Sequence, residues 1–241
     1  SLGSWQHRPM EDQGAHLLTR AEMWSGAGAS IDVLTVSPQL PGDRSILMIH
    51  ENRGLVPYMV AVAEDLAHAG YRVVAPDLLS RIGGTAAFAH DRAAVTTRQI
   101  DSATHLADLR AVFDAIVDEQ GEAPAVVGFC FGAEMGWSLI TERTPRGAVL
   151  YYGIGPDPDK VGQIACPVYA VYAEDDPRVN ETFEPLGRAL TNAAARVVAE
   201  SYPGTEHAFH DRSRPERYEA AAADAVWERT LEFLDQLFDT T

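Results

Sequence analysis

Short continuous apolar runs alternate along the chain with longer stretches in which apolar positions recur every three or four residues. That is the pattern of buried strands interleaved with amphipathic helices. The runs at 46–49, 148–152 and 168–172 are apolar enough to be strands covered on both faces, 126–129 is a further apolar strand, and 71–75 and 197–202 read as strands as well. Between the first two, Met59, Val62, Ala63 and Leu66 share one helical face, with Pro57 near the start and Gly70 just past the end. Leu106, Leu109, Phe113 and Ile116 mark another helix, and a shorter one is expected at 188–194. Val226, Trp227, Thr230, Leu231, Leu234 and Leu237 form a stripe on a terminal helix over 215–238. Ahead of these, 20–24 and 31–35 are joined by Ser25-Gly26-Ala27-Gly28 and read as a hairpin. The expectation is an α/β fold: a mainly parallel central sheet with helices on both faces.

Residues 1–18 are polar and irregular and are set apart as an N-terminal extension. No linker, repeat or low-complexity tract interrupts the rest of the chain, so 19–241 is read as a single domain. Segment 76–98 has weak periodicity and contains Gly83-Gly84, which predicts a long loop with a short helix, of the kind that covers active sites.

Charge narrows the range of partners. The net charge is −16 and no basic cluster interrupts it, which argues against nucleic acid and anionic membranes as ligands. An anionic substrate would need a local arginine. No stretch approaches the apolar length of a membrane span, and residues 1–20 lack the apolar core of a signal peptide, so a cytoplasmic protein is expected. Of the two cysteines, Cys166 precedes Pro167 at the head of an apolar run and is expected to be a buried free thiol.

The other cysteine carries the chemistry. Val126-Val127-Gly128-Phe129-Cys130-Phe131-Gly132 takes a strand directly into a helix, with Cys130 at the apex of the turn. This is a nucleophile elbow with sulfur in place of oxygen, and the flanking glycines remove Cβ atoms that would collide with neighbouring backbone. The helix N-terminus beside the sulfur favours both a thiolate and an oxyanion. The residue-after-nucleophile rule makes the N–H of Phe131 one oxyanion donor, and Asn52, in the early strand-end loop His50-Glu51-Asn52-Arg53-Gly54, offers the other. A thiol nucleophile needs a base and the base needs an orienting acid, in the chain order acid then histidine. Glu174-Asp175-Asp176-Pro177 and Gly204-Thr205-Glu206-His207-Ala208-Phe209-His210 supply both after later strands. Asp175 competes with Asp176, and His210 with His207. A metal at the two histidines finds no third ligand at paired spacing. The competing reading is a non-catalytic fold member whose thiol senses oxidants or whose surface binds a partner, but such a protein has no use for an ordered acid and histidine.

Taken together, Gly-Phe-Cys-Phe-Gly, His-Glu-Asn-Arg-Gly, Pro-Asp-Leu-Leu-Ser-Arg at 76–81, Asp-Asp-Pro-Arg-Val and Gly-Thr-Glu-His-Ala-Phe resemble the dienelactone hydrolase family over residues 19–238. The resemblance implies an α/β-hydrolase fold and hydrolysis of lactones or small esters without a cofactor. It implies Cys130 as nucleophile, His207 as base, Asp176 as acid, Glu51 as the carboxylate paired with the thiol, and Arg81 as ligand of a substrate carboxylate. One departure bears on substrate choice. Family members acting on dienelactone carry a second arginine four residues after the histidine, where this chain has Asp211, followed by Arg212.

Overall fold

The computed structural model describes residues 17–26, 28–38, 42–88, 97–193 and 196–239. Most of the extension expected over 1–18, and the middle of the expected loop over 76–98, lie outside these. The hairpin forms from β1 (Leu17–Gly26) and β2 (Ala29–Pro38), paired antiparallel. Then follow β3 (Ser45–Ile49), α1 (Pro57–His68), β4 (Arg72–Pro76), a short α2 (Gly84–Ala87), α3 (Ser102–Gln120), β5 (Ala125–Phe129) and α4 (Phe131–Ile140). The chain continues through β6 (Ala148–Tyr151), β7 (Val168–Asp175), α5 (Pro177–Ala193), β8 (Val197–Glu206) and α6 (Ala220–Asp239).

The strands form one sheet in the order β1-β2-β4-β3-β5-β6-β7-β8, antiparallel over β1-β2-β4 and parallel from β4 to β8. Alternation along each strand decides what each face meets. Ile46, Met48, Val127 and Phe129 pack with α1 and α6, whereas Leu47, Ile49 and Val126 pack with α3, α4 and α5. Each of these side chains is essentially inaccessible, and burying one of its size stabilises the fold by about 1.5–3 kcal/mol. The chain runs outward from β3 to β4, then crosses back to place β5 on the other side of β3. Such a reversal opens a crevice at the carboxyl ends of the two strands, where α/β proteins bind ligands.

Two helices differ from the sequence expectation. α5 begins at Pro177, eleven residues before the expected start at 188, because polar residues and an internal Pro185 mask the pattern carried by buried Val179 and Leu186. α6 begins at Ala220 and not at 215. The preceding N–H groups of Arg217 and Tyr218 go to the Arg214 carbonyl and that of Glu219 to the Phe209 carbonyl, which ties this segment to the loop after β8. Among the described residues no helix is long and apolar enough to cross a membrane.

Candidate active site

The end of β5, the start of α4 and the end of β3 are forced together by glycine. A Cβ on Gly132 would lie 2.1 Å from the Ile49 carbonyl oxygen, and one on Gly128 would lie 2.5 Å from that of Gly132. No side chain fits at either position. Between them Cys130 adopts φ 53°, ψ −112°, a conformation L residues avoid at a cost of about 1–3 kcal/mol. Tyr152, past the end of β6, and Ala208, past the end of β8, are the other described non-glycine residues with positive φ. All three border the same cavity.

That cavity measures 540 Å³ and opens over the carboxyl ends of β3 and β5. His207 Nε2 lies 3.0 Å from Cys130 Sγ, and His207 Nδ1 lies 2.5 Å from Asp176 Oδ2. Asp176 is buried, while Asp175 is exposed at the end of β7. Burial pulls the His207 imidazole down, but hydrogen bonds to Asp176 and Cys130, with the charges behind them, outweigh it and push the ring up to about 9. The Tyr152 and His207 rings meet in an edge-on arrangement with centroids 5.0 Å apart.

Glu51 lines the cavity too, and burial raises its carboxyl to about 7 against the pull of Arg53. Its Oε1 accepts the Arg53 N–H at 3.1 Å, so its contact is with its own turn, while the thiol is engaged by His207. Asn52 and Phe131 border the cavity beside Cys130. The Phe131 N–H opens α4 and so has no intrahelical acceptor. His210 is drawn away from the chemistry: its Nδ1 shares a hydrogen bond with the Tyr58 hydroxyl at 2.6 Å, and its ring packs among Phe129, Tyr151 and Trp227. Burial lowers its ring to about 4 and keeps it neutral. Cys166 is a buried free thiol.

Arg81 is where expectation and structure part. Its Nε and Nη2 donate to Asp108 Oδ2 and Oδ1 at 2.8 and 2.7 Å, and it is absent from the cavity lining. A guanidinium whose fork is closed on a buried carboxylate has little left to offer a substrate. Arg212 does not replace the second family arginine, since it pairs with Asp65 at 2.8 Å. The lining instead holds Arg53, Arg98, Arg178 and Arg214, set against Glu51 and Asp211. Arg98 pairs with Glu134 and Arg214 with Glu216. Among the described residues Arg53 and Arg178 have no ion pair within 4 Å. Both lie inside motifs visible in the sequence, Asn52-Arg53-Gly54 and Pro177-Arg178-Val179, where the neighbouring carboxylates carry the stronger chemical signal.

The family model described as the dienelactone hydrolase family matches residues 31–238. A Saccharolobus solfataricus protein bearing the provisional name carboxymethylenebutenolidase is 28% identical, over 86% of this chain and 94% of its own. A Rhodococcus opacus carboxymethylenebutenolidase is 25% identical, over 80% of this chain and 81% of its own. Among solved structures, one from Klebsiella pneumoniae with the provisional name dienelactone hydrolase superposes with a TM-score of 0.82 at 22% identity, covering 92% of this chain and 99% of that one.

Proposed function

Because the chain belongs to the dienelactone hydrolase family, we propose that it hydrolyses carboxylic esters or lactones through a thioester on Cys130, with His207 as general base and Asp176 holding His207 in place. The observation that carries this reading is the unbroken line from Cys130 Sγ through both nitrogens of His207 to a buried Asp176 carboxylate. In the proposed reaction His207 Nε2 takes the thiol proton and the sulfur attacks the ester carbonyl carbon. The carbonyl electron pair moves to oxygen, where the N–H groups of Phe131 and Asn52 receive it. Collapse of this intermediate breaks the carbon–oxygen ester bond, and the imidazolium returns its proton to the departing alkoxide, which stays tethered if the substrate is a lactone. A water molecule then loses a proton to His207 and attacks the thioester carbon. The second collapse expels the sulfur and frees the carboxylic acid. Glu51, with its carboxyl raised to about 7, is the second cavity group able to accept the thiol proton when the sulfur turns from His207.

The proposed substrate carries a carboxylate near the scissile bond. Support comes from Arg53 and Arg178, which line the cavity of a chain whose net charge of −16 otherwise repels anions. They take the part that Arg81, closed on Asp108, does not. Steady-state hydrolysis of matched carboxylated and neutral aryl esters tests the reading. Turnover that prefers the carboxylated series and vanishes in Cys130→Ala supports it, and turnover unchanged in Cys130→Ala refutes it.

A further inference from the structure

The turn after β3 contains a peptide whose orientation is fixed from behind. The Glu51 carbonyl oxygen lies 2.6 Å from His50 Nδ1 and also accepts the Gly54 N–H at 3.2 Å. His50 is fully buried, and its Nε2 accepts the Leu78 N–H at 2.9 Å. A neutral imidazole that accepts at Nε2 must carry its proton at Nδ1, so His50 donates to the Glu51 carbonyl. The peptide joining Glu51 to Asn52 is planar and trans, so its N–H points opposite to its C=O. With the carbonyl drawn inward to His50, the Asn52 N–H is turned outward to the cavity that Asn52 and Cys130 share.

The other groups of the turn agree with this. The Arg53 N–H goes to Glu51 Oε1 and the Gly54 N–H to the Glu51 carbonyl, while the Asn52 carbonyl accepts the Thr97 N–H at 3.0 Å. Among the described residues the Asn52 N–H has no acceptor. It is a donor left open beside the nucleophile.

We propose that His50 is a positioning residue of the oxyanion hole: its Nδ1–H locks the Glu51–Asn52 peptide so that the Asn52 N–H faces the carbonyl oxygen of the substrate. Leu78, in the loop after β4, fixes the tautomer that makes this possible. The inference rests on the thiol-hydrolase reading for its consequence in catalysis but not for the lock itself. Two variants separate the two ends of the ring. In His50→Asn the amide stands near the place of Nδ1 and can still donate to the Glu51 carbonyl. In His50→Gln it reaches the place of Nε2, keeping a partner for Leu78 and losing the one for Glu51.

The expected result on the full chain is that His50→Gln lowers kcat by roughly 10²–10³, as loss of one oxyanion donor does, with KM within about threefold. His50→Asn should stay within about tenfold of the unmodified chain. Alkylation of Cys130 by iodoacetamide, which forms no oxyanion, should proceed at the same rate in both. Equal losses of kcat in the two variants, or alkylation falling in step with kcat, would overturn the proposal. Should either variant fail to fold, the ring nitrogens of His50 in the unmodified chain, labelled with ¹⁵N, decide the matter by NMR. The Nδ1–H tautomer supports the lock and the Nε2–H tautomer overturns it. A chain that turns over no ester would refute the functional reading, and the tautomer would still decide the lock.

Discussion

Arg81 and Asp108 form a two-point pair across 27 residues, Nε to Oδ2 and Nη2 to Oδ1, with the carboxylate buried and the guanidinium about a quarter exposed. The segment after β4 is thereby tied to α3. Arg81→Met should act on stability, because it strands a buried carboxylate, at a cost of about 3 kcal/mol. Urea denaturation checks this, and KM for carboxylated and neutral esters should shift by the same factor.

Arg53 and Arg178 should behave in the opposite way. Each is an exposed residue that lines the cavity without an ion pair within 4 Å among the described residues, so replacing either by Met removes little from the folded state. A charge-assisted contact to a substrate carboxylate is worth about 1.5–3 kcal/mol. At 1.4 kcal/mol per decade, KM for carboxylated esters should rise by roughly ten- to a hundredfold, with neutral esters nearly unaffected. Steady-state kinetics on the matched series distinguishes the outcomes.

Asp176→Asn should reduce kcat far more than Asp175→Asn. The amide cannot stabilise an imidazolium at His207 or hold its tautomer, and the equivalent change in a serine protease triad lowered kcat by about 10⁴. Asp175 is exposed, and it is Asp176 that holds His207 Nδ1. Equal effects of the two substitutions on kcat would contradict the role given to Asp176.

Much of this was legible in the sequence because it rests on local rules. Gly128 and Gly132 announce an elbow since no Cβ fits there, and the continuous apolar runs of β3, β5, β6 and β7 announce a sheet whose centre is buried on both faces, whereas the edge strand β8 is largely exposed. The true start of α5 was hidden by polar residues and Pro185, whose ring a helix surface tolerates here although local propensity argues against it. Arg81 illustrates a deeper limit. Its place after a strand end is readable, but the partner that closes its fork stands on α3, and a contact between residues 81 and 108 follows only from how the loop after β4 packs. His50 stays silent in the sequence for a similar reason: its work is done through Leu78 and the Glu51 peptide, and its own neighbourhood in the chain reveals neither contact.

The titration of the site sets a stability profile. His210, lowered from 6.5 to about 4, is buried neutral, so the unfolded chain binds more protons and stability falls as pH drops from about 6.5 through 4. His207, raised from 6.5 to about 9, contributes stability that is complete below about 6.5 and lost as pH rises through 9. Glu51, raised from 4.5 to about 7, also loses its contribution as pH rises, across 4.5 to 7, and there offsets His210. Urea midpoints against pH should rise from about pH 4, level off between about 4.5 and 6.5 where His210 and Glu51 offset each other, and fall above 6.5. His210→Phe should flatten the acid side and His207→Gln the alkaline side.

Everything in the proposed reaction turns on acylation of Cys130. Rapid mixing with a p-nitrophenyl ester, acid quenching and intact-protein mass measurement test it most directly. A species heavier by one acyl group less a proton is expected, with the added mass mapped to Cys130 and not to Cys166. The species should accumulate in His207→Gln once its thiol has reacted, because water then lacks its base, and should be absent from Cys130→Ala. An acyl group carried by another residue, or ester turnover by Cys130→Ala at the rate of the unmodified chain, would rule out Cys130 as the nucleophile.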